Sequence, residues 1–208
     1  FEDSIAKIME LSPEAEFIPT LNWLQGINAY RREDWSGAKE TFSKSLAPGE
    51  KSFVPNLSTW NIDVPWDRVS LTLNPQIQRH NHCVPCAVSI ILDYYGISVD
   101  QWEIGQGMMD AEGTPMHNLY TWLNAQGYSF VSFRANQEQV KTALRNRIPL
   151  LMSLRGAAGA HVTVINGFDD ALQAFFLQDP GSPFPLPLPY LQYDEMFANS
   201  FYEAVAFV

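Results

Sequence analysis

A polar loop turns abruptly into an apolar helix in the stretch Gln78-Arg-His-Asn-His-Cys83-Val-Pro-Cys86-Ala-Val-Ser-Ile-Ile-Leu-Asp-Tyr-Tyr-Gly96. The apolar run from Cys83 to Tyr95 predicts a buried helix, closed by Gly96 as a natural C′ residue. Cys83 stands where that helix begins. Helix N-termini carry partial positive charge, which favours thiolate over thiol. Cys83 is therefore a candidate activated nucleophile, and the chain can be searched for its partners.

The 208 residues hold one large domain, or one domain with a small extension. A formal net charge of −10 argues against a nucleic-acid surface and against anionic lipid. No apolar run approaches a membrane span. No signal segment is visible, although the chain starts at Phe1 and upstream residues could be missing. Two cysteines do not make a disulfide framework.

Three regions follow from patterning. Residues 1–47 read as helical. Ala38, Phe42 and Ser45 follow Gly26 at offsets of twelve, sixteen and nineteen, a pattern resembling one tetratricopeptide repeat. A plain helical hairpin fits the same residues. One repeat cannot bury its own faces, so it is expected to dock on the main domain or on upstream repeats, with a protein partner possible through the same segment. Residues 48–67 carry Pro48, Gly49, Pro55 and Pro65 and read as a linker, with Trp60 and Trp66 packing on something. Residues 68–208 begin with a short strand at Arg68–Leu73. Helices follow at Cys83–Tyr95, Val99–Met109 and Thr114–Ala125. A strand at Tyr128–Phe133 and a helix at Gln137–Arg145 come next. Ile148–Ser153, His161–Gly167, Leu172–Gln178 and Phe201–Val208 complete the region as strands. Helices first and an antiparallel sheet after them define α+β. The prolines between Asp179 and Tyr190 read as a loop spanning the sheet edge rather than regular sheet. A polyproline ligand is the alternative.

A nucleophilic cysteine needs a base, and the base needs an orienting group. His80 and His82 lie too close in sequence to Cys83, and His117 sits on a polar helix face. His161 starts a strand, and the next strand ends at Asp179. A hairpin centred on Asp170 sets His161 directly opposite Asp179, with Cβ atoms about 4.5–5.5 Å apart on one face. The aspartate can then accept from one imidazole nitrogen while the other faces the thiol. Gln78, with backbone N–H groups at the helix start, is placed to stabilise an oxyanion; Gln76 is its rival.

These residues resemble a known family. Cys83-Val-Pro-Cys-Ala through Tyr94-Tyr95-Gly96 is similar to the Cys-Gly-Pro-Ala…Tyr-Tyr-Gly block of the double-glycine bacteriocin-leader peptidases and their stand-alone bacterial relatives. Gly113-Thr114, Ile148-Pro149, the His161–Gly167 strand and Gln178-Asp179-Pro180 match in order and spacing. The resemblance covers about residues 70–208. It implies a papain-like cysteine peptidase fold of helices packed on an antiparallel sheet, cleaving a peptide or related amide bond. In that family Cys83 is the nucleophile, His161 the base, Asp179 the orienter and Gln78 the oxyanion glutamine. It implies no cofactor, no metal, and a peptide or protein substrate. Three departures stand out. The glycine after the nucleophile is Val84, the following alanine is Cys86, and the glutamine lies one residue closer to the cysteine. The transporter-fused members also carry membrane and nucleotide-binding domains, so a leader-peptide substrate does not follow.

Three other readings fit parts of the motif. Cys83-Val-Pro-Cys86 fits a thiol-disulfide redox pair, but that fold wants a strand before the motif and a loop stands there. His80, His82, Cys83 and Cys86 offer zinc ligands, but structural sites draw on two separated segments. A papain-like domain with altered chemistry would serve as a binding module. Acyl transfer to an acceptor other than water uses the same intermediate as hydrolysis. A reactive thiol favours a reducing setting, such as the bacterial cytoplasm.

Overall fold

The computed structural model describes residues 7, 8, 10–13, 17–32, 34–45, 67–156 and 159–208. The linker expected at 48–67, with Trp60 and Trp66, lies outside these residues except for Asp67. The chain divides into two compact units. One comprises Phe1–Asp67 with Ala171–Gln173, and the other Arg68–Asp170 with Ala174–Val208.

The first unit contains helices α1 (Ile18–Arg31) and α2 (Trp35–Ser43). Asp34 caps α2 by accepting from the Gly37 N–H. Ala38 and Phe42 are buried between the helices. The Phe42 ring lies so close over Gly26 that any Cβ there would strike it. The spacing of Gly26, Ala38 and Phe42 therefore encodes a packed helical hairpin.

The second unit is α+β. Its elements are β1 (Arg68–Ser70), α3 (Cys83–Tyr94), α4 (Gln101–Met108), α5 (Met116–Gln126), β2 (Phe130–Arg134), α6 (Gln137–Arg145), β3 (Leu150–Gly156), β4 (Gly159–Asp169), β5 (Ala174–Gln178), β6 (Leu186–Pro189), α7 (Tyr193–Phe197) and β7 (Glu203–Phe207). Among the described residues seven strands form one antiparallel sheet in the order β2-β7-β3-β4-β5-β6, with β1 also paired to β4.

The period-two alternation of the strands sorts side chains onto two faces. Leu151, Val162, Val164 and Val205 face helices α3, α4 and α5. Leu150, Met152, Ala204 and Ala206 face α6 and α7 on the other side. Helix α3 is buried along most of its length; Ile90 and Ile91 have no exposed surface and Leu92 retains 1%. Each such side chain contributes about 1.5–3 kcal/mol of burial. The helix ends where Gly96 and Ile97 donate to the carbonyls of Asp93 and Leu92, closing it as the sequence implied.

Two expectations are corrected. The proline-rich segment is not all loop: Leu186–Pro189 is strand β6, paired to β5. It is the outermost strand, and Pro187 and Pro189 share one parity. The N–H groups they lack would have pointed away from the ladder, so no pairing is lost. The β4–β5 register also differs from a hairpin centred on Asp170. Ile165 lies across from Leu177, but Phe168 lies across from Phe175, with an irregularity between Ile165 and Gly167. A four-residue turn, 170–173, replaces the tight one and shifts the pairing by three residues; a bulge at Asn166 takes back one, which leaves an offset of two at the His161 end.

The bulge has a use. Asn166 exchanges backbone and side-chain bonds with Leu71, donating from Nδ2 to the Leu71 carbonyl at 3.0 Å and accepting the Leu71 N–H at 2.8 Å. This fixes the start of the segment that runs to Cys83. Beside it, β1 approaches Gly167 so closely that a Cβ would sit 2.7 Å from the Val69 carbonyl oxygen. Backbone cannot yield as a side chain tip can. Gly167→Ala is therefore expected to destabilise the second unit by about 1–3 kcal/mol, read as a lower midpoint in urea unfolding. An unchanged midpoint would contradict this close packing.

Candidate active site

Cys83 opens α3, and no side chain caps the helix's first turn. Pro85 contributes no N–H there. The backbone donors of Cys83 and Val84 thus meet the helix's partial positive charge at one point. The Cys83 side chain is partly exposed and lines a groove of about 280 Å³. Val84, Thr114, Met116, Ser153 and His161 line the same groove.

His161 lies in β4, across from Leu154 of β3. Its Nε2 is 2.8 Å from Oδ2 of Asp179, the residue that follows β5. Val164 pairs with Gln178, so continuing that register sets Asp179 across from Thr163. Asp179 is then the diagonal neighbour of His161 on one face. Diagonal positions lie about 7–8 Å apart at the backbone, a gap that an imidazole and a carboxylate can close between them. The pairing is met diagonally rather than directly.

The electrostatics follow from these contacts. The His161 pKa is raised to about 9, first by its hydrogen bond to Asp179 and then by hydrogen bonding with Cys83; burial opposes both. Burial also works against charge on Asp179. The His161 hydrogen bond, the Gly181 N–H and the imidazolium charge outweigh it and hold the carboxyl below its ordinary value. The Gly181 N–H reaches Oδ1 at 2.7 Å, so Asp179 also organises the turn it begins.

The linkage has a definite sign. A raised histidine contributes stability fully below its unfolded value of about 6.5, and the contribution is lost as pH climbs through about 9. A lowered aspartate contributes above its unfolded value of about 3.9, and that is lost as pH falls further. The pair is thus charged on both sides across neutrality. Asp179→Asn is expected to move the imidazole titration down toward about 6.5, followed by NMR of the ring protons. A titration unmoved by the substitution would contradict the pairing.

The other candidates separate clearly. Cys86 is fully buried, and its Sγ lies 3.6 Å from the Gln76 carbonyl. Burial, with Cys83 and Asp179 nearby, pushes its thiol up to about 12. Both cysteines are free thiols. His82 is buried, stacks on Trp102 and holds the His80 carbonyl at 2.6 Å. His80 and His117 are exposed. Among the described residues, no three His, Cys, Asp or Glu side chains gather as a metal site, and no helix is long and apolar enough to cross a membrane.

The two glutamines also diverge. Gln76 Oε1 accepts from Ser89 of α3 at 3.1 Å, a structural tie. Gln78 N–H donates to the Pro180 carbonyl at 2.8 Å, next to Asp179. Its Oε1 is buried with no hydrogen-bond partner. The Thr114 of the Gly113-Thr114 pair lines the groove; sequence reasoning missed its neighbour Ser153, whose type carries no signal of its own, and Gln101.

A sequence model of the peptidase C39-like family matches residues 69–206. The chain belongs to this family. No match was found among curated proteins. Solved structures share the fold of the second unit. A Bacillus anthracis protein assigned as a C39-like peptidase aligns at TM-score 0.55 and 14% identity, over 68% of this chain and 98% of its own. A double-glycine motif protease of an AMS/PCAT transporter, solved with its leader peptide, aligns at 0.56 and 16%, over 67% and 93%. The peptidase domain of Streptococcus ComA, a bifunctional ABC transporter of a quorum-sensing pathway, aligns at 0.54 and 16%, over 66% and 98%.

Proposed function

We propose that the chain is a cysteine peptidase that cleaves a peptide or related amide bond through an acyl-enzyme on Cys83. The observation that carries this is one groove holding a helix-start thiol beside an imidazole that is itself bonded to a carboxylate at 2.8 Å. The Cys83 sulfur attacks the carbonyl carbon, and its proton resides on His161. The carbonyl oxygen becomes an oxyanion, met by the Gln78 amide and the N–H groups at the start of α3. The Gln78 N–H bond to the Pro180 carbonyl holds that residue beside Asp179, which supports the role, while the Gln76 side chain is tied to Ser89 of α3. The intermediate collapses, the C–N bond breaks, and His161 gives its proton to the leaving amine. A water molecule, deprotonated by His161, then attacks the thioester and frees Cys83. Asp179 holds the imidazole throughout.

The domain organisation fits this reading: a helical segment over 1–47, a linker over 48–67 and a peptidase domain over 68–208. The hairpin of Gly26, Ala38 and Phe42 serves as a tetratricopeptide-like docking element for a protein partner. The substrate is a peptide or protein. The C39-like neighbours include a protease solved with a leader peptide, which supports a peptide substrate. Val84, where the family has glycine, narrows the backbone approach beside the nucleophile.

Acyl capture tests the proposal. Brief exposure to p-nitrophenyl acetate, followed by acid quench, is expected to leave one acetyl group on Cys83, located by peptide mass spectrometry. A folded protein that acquires none there would refute the acyl-enzyme.

A further inference from the structure

The segment that carries Gln78 has no secondary structure of its own between β1 and α3. A side chain expected to meet an oxyanion must nevertheless be held within a fraction of an ångström. Gln101, the first residue of α4, supplies the clamp. It is 7% exposed. Its Nε2 donates to the Ile77 carbonyl at 2.9 Å, and its Oε1 accepts the Arg79 N–H at 2.9 Å. One amide thus grips the backbone on both sides of Gln78. The Gln78 N–H itself donates to the Pro180 carbonyl. Three consecutive residues are fixed through their backbones, leaving the Gln78 side chain with little freedom except at its own torsions.

The neighbouring residue reinforces the clamp. Trp102 stacks on His82, and the Arg79 guanidinium lies over the same indole, 5.6 Å from its centroid. Asp100 caps α4 by accepting the Trp102 N–H at 2.8 Å, so the clamp is itself seated on a fixed helix start.

We infer that Gln101 is a positioning residue for the oxyanion glutamine, and that the start of α4 is the support on which the site's anion-stabilising half is built. The inference rests on the reading of Gln78 given above. It assigns the bond to Pro180 a matching part: the turn carrying Asp179 and the loop carrying Gln78 are braced against each other, so base and oxyanion donors keep one relative placement.

Two reagents separate this role from general support. Acylation by p-nitrophenyl acetate passes through an oxyanion: the sulfur–carbon bond forms, then p-nitrophenolate leaves. Alkylation by iodoacetamide displaces iodide at a saturated carbon and forms none. Gln78→Ala is expected to slow acylation of Cys83 by about 100-fold with alkylation unchanged. Gln101→Ala is expected to slow acylation by about 10–100-fold, again with alkylation unchanged. Gln101→Met keeps the length of the side chain and removes both hydrogen bonds, so it serves where the alanine variant does not fold. In the double variant with Gln78→Ala, removing the clamp is expected to cost nothing further, because there is no amide left to position.

A Gln101 loss that multiplies in the Gln78→Ala background would overturn the inference. So would an equal fall in acylation and alkylation, or no loss at all while Gln78→Ala is impaired. A Gln78→Ala variant with full acylation would instead overturn the oxyanion assignment, and the clamp's role with it.

Discussion

Cys83→Ala is expected to bring amide cleavage to background, a loss on the order of 10⁵-fold or more. No other group stands at the start of α3 with the capacity to form the acyl intermediate. Cys86 is one turn further on, but it has no exposed surface and its thiol is raised to about 12. The companion variant Cys86→Ala is therefore expected to keep acylation and cleavage within a few-fold of the parent. Its cost falls on stability, since it empties part of a packed core, by about 1 kcal/mol per methyl-sized void. Acylation and peptide digestion by both variants, with unfolding midpoints alongside, check the pair. A reversal, with Cys86→Ala inactive and Cys83→Ala active, would reassign the nucleophile.

His161→Ala is expected to give the second largest loss, on the order of 10³–10⁴-fold in cleavage. In the proposed reaction the imidazole acts twice, holding the thiol's proton and then delivering it to the leaving amine. The variant's residual alkylation should also lose its advantage at neutral pH, because the cation beside Cys83 is gone. Asp179 is bonded to His161 and is proposed to act through it, so Asp179→Asn should cost less and should shift the pH dependence rather than abolish the reaction. A His161→Ala protein cleaving as fast as the parent would sink the base assignment.

Much of this was legible in the sequence for physical reasons. The switch from polar loop to apolar helix at Cys83 is a burial boundary, and burial is what side-chain pattern records. Gly96 marked the helix end because the C′ position favours its backbone. His161 and Asp179 were found because consecutive strands bring their ends together whatever the exact register. The register itself was not legible. It depends on the length of the 170–173 turn and on the bulge at Asn166, where Leu71, the residue after β1, bonds to Asn166. Alternation within two strands carries no information about a third. Strand β6 was hidden for a different reason. Prolines exclude an interior strand, yet Pro187 and Pro189 sit harmlessly on an edge, and edge status is a property of the sheet. Gln101 escaped notice because a glutamine at a helix start looks solvated, and only the folded chain shows it buried between Ile77 and Arg79.

The measurement that reaches the central claim most directly is the rate of iodoacetamide alkylation at neutral pH, mapped to each cysteine by peptide mass spectrometry. The His161–Asp179 pair predicts alkylation of Cys83 far faster than that of a free cysteine, falling sharply in His161→Ala and unchanged in Cys86→Ala. Slow alkylation of Cys83, or a fast reaction that disappears only when Cys86 is removed, would contradict the account.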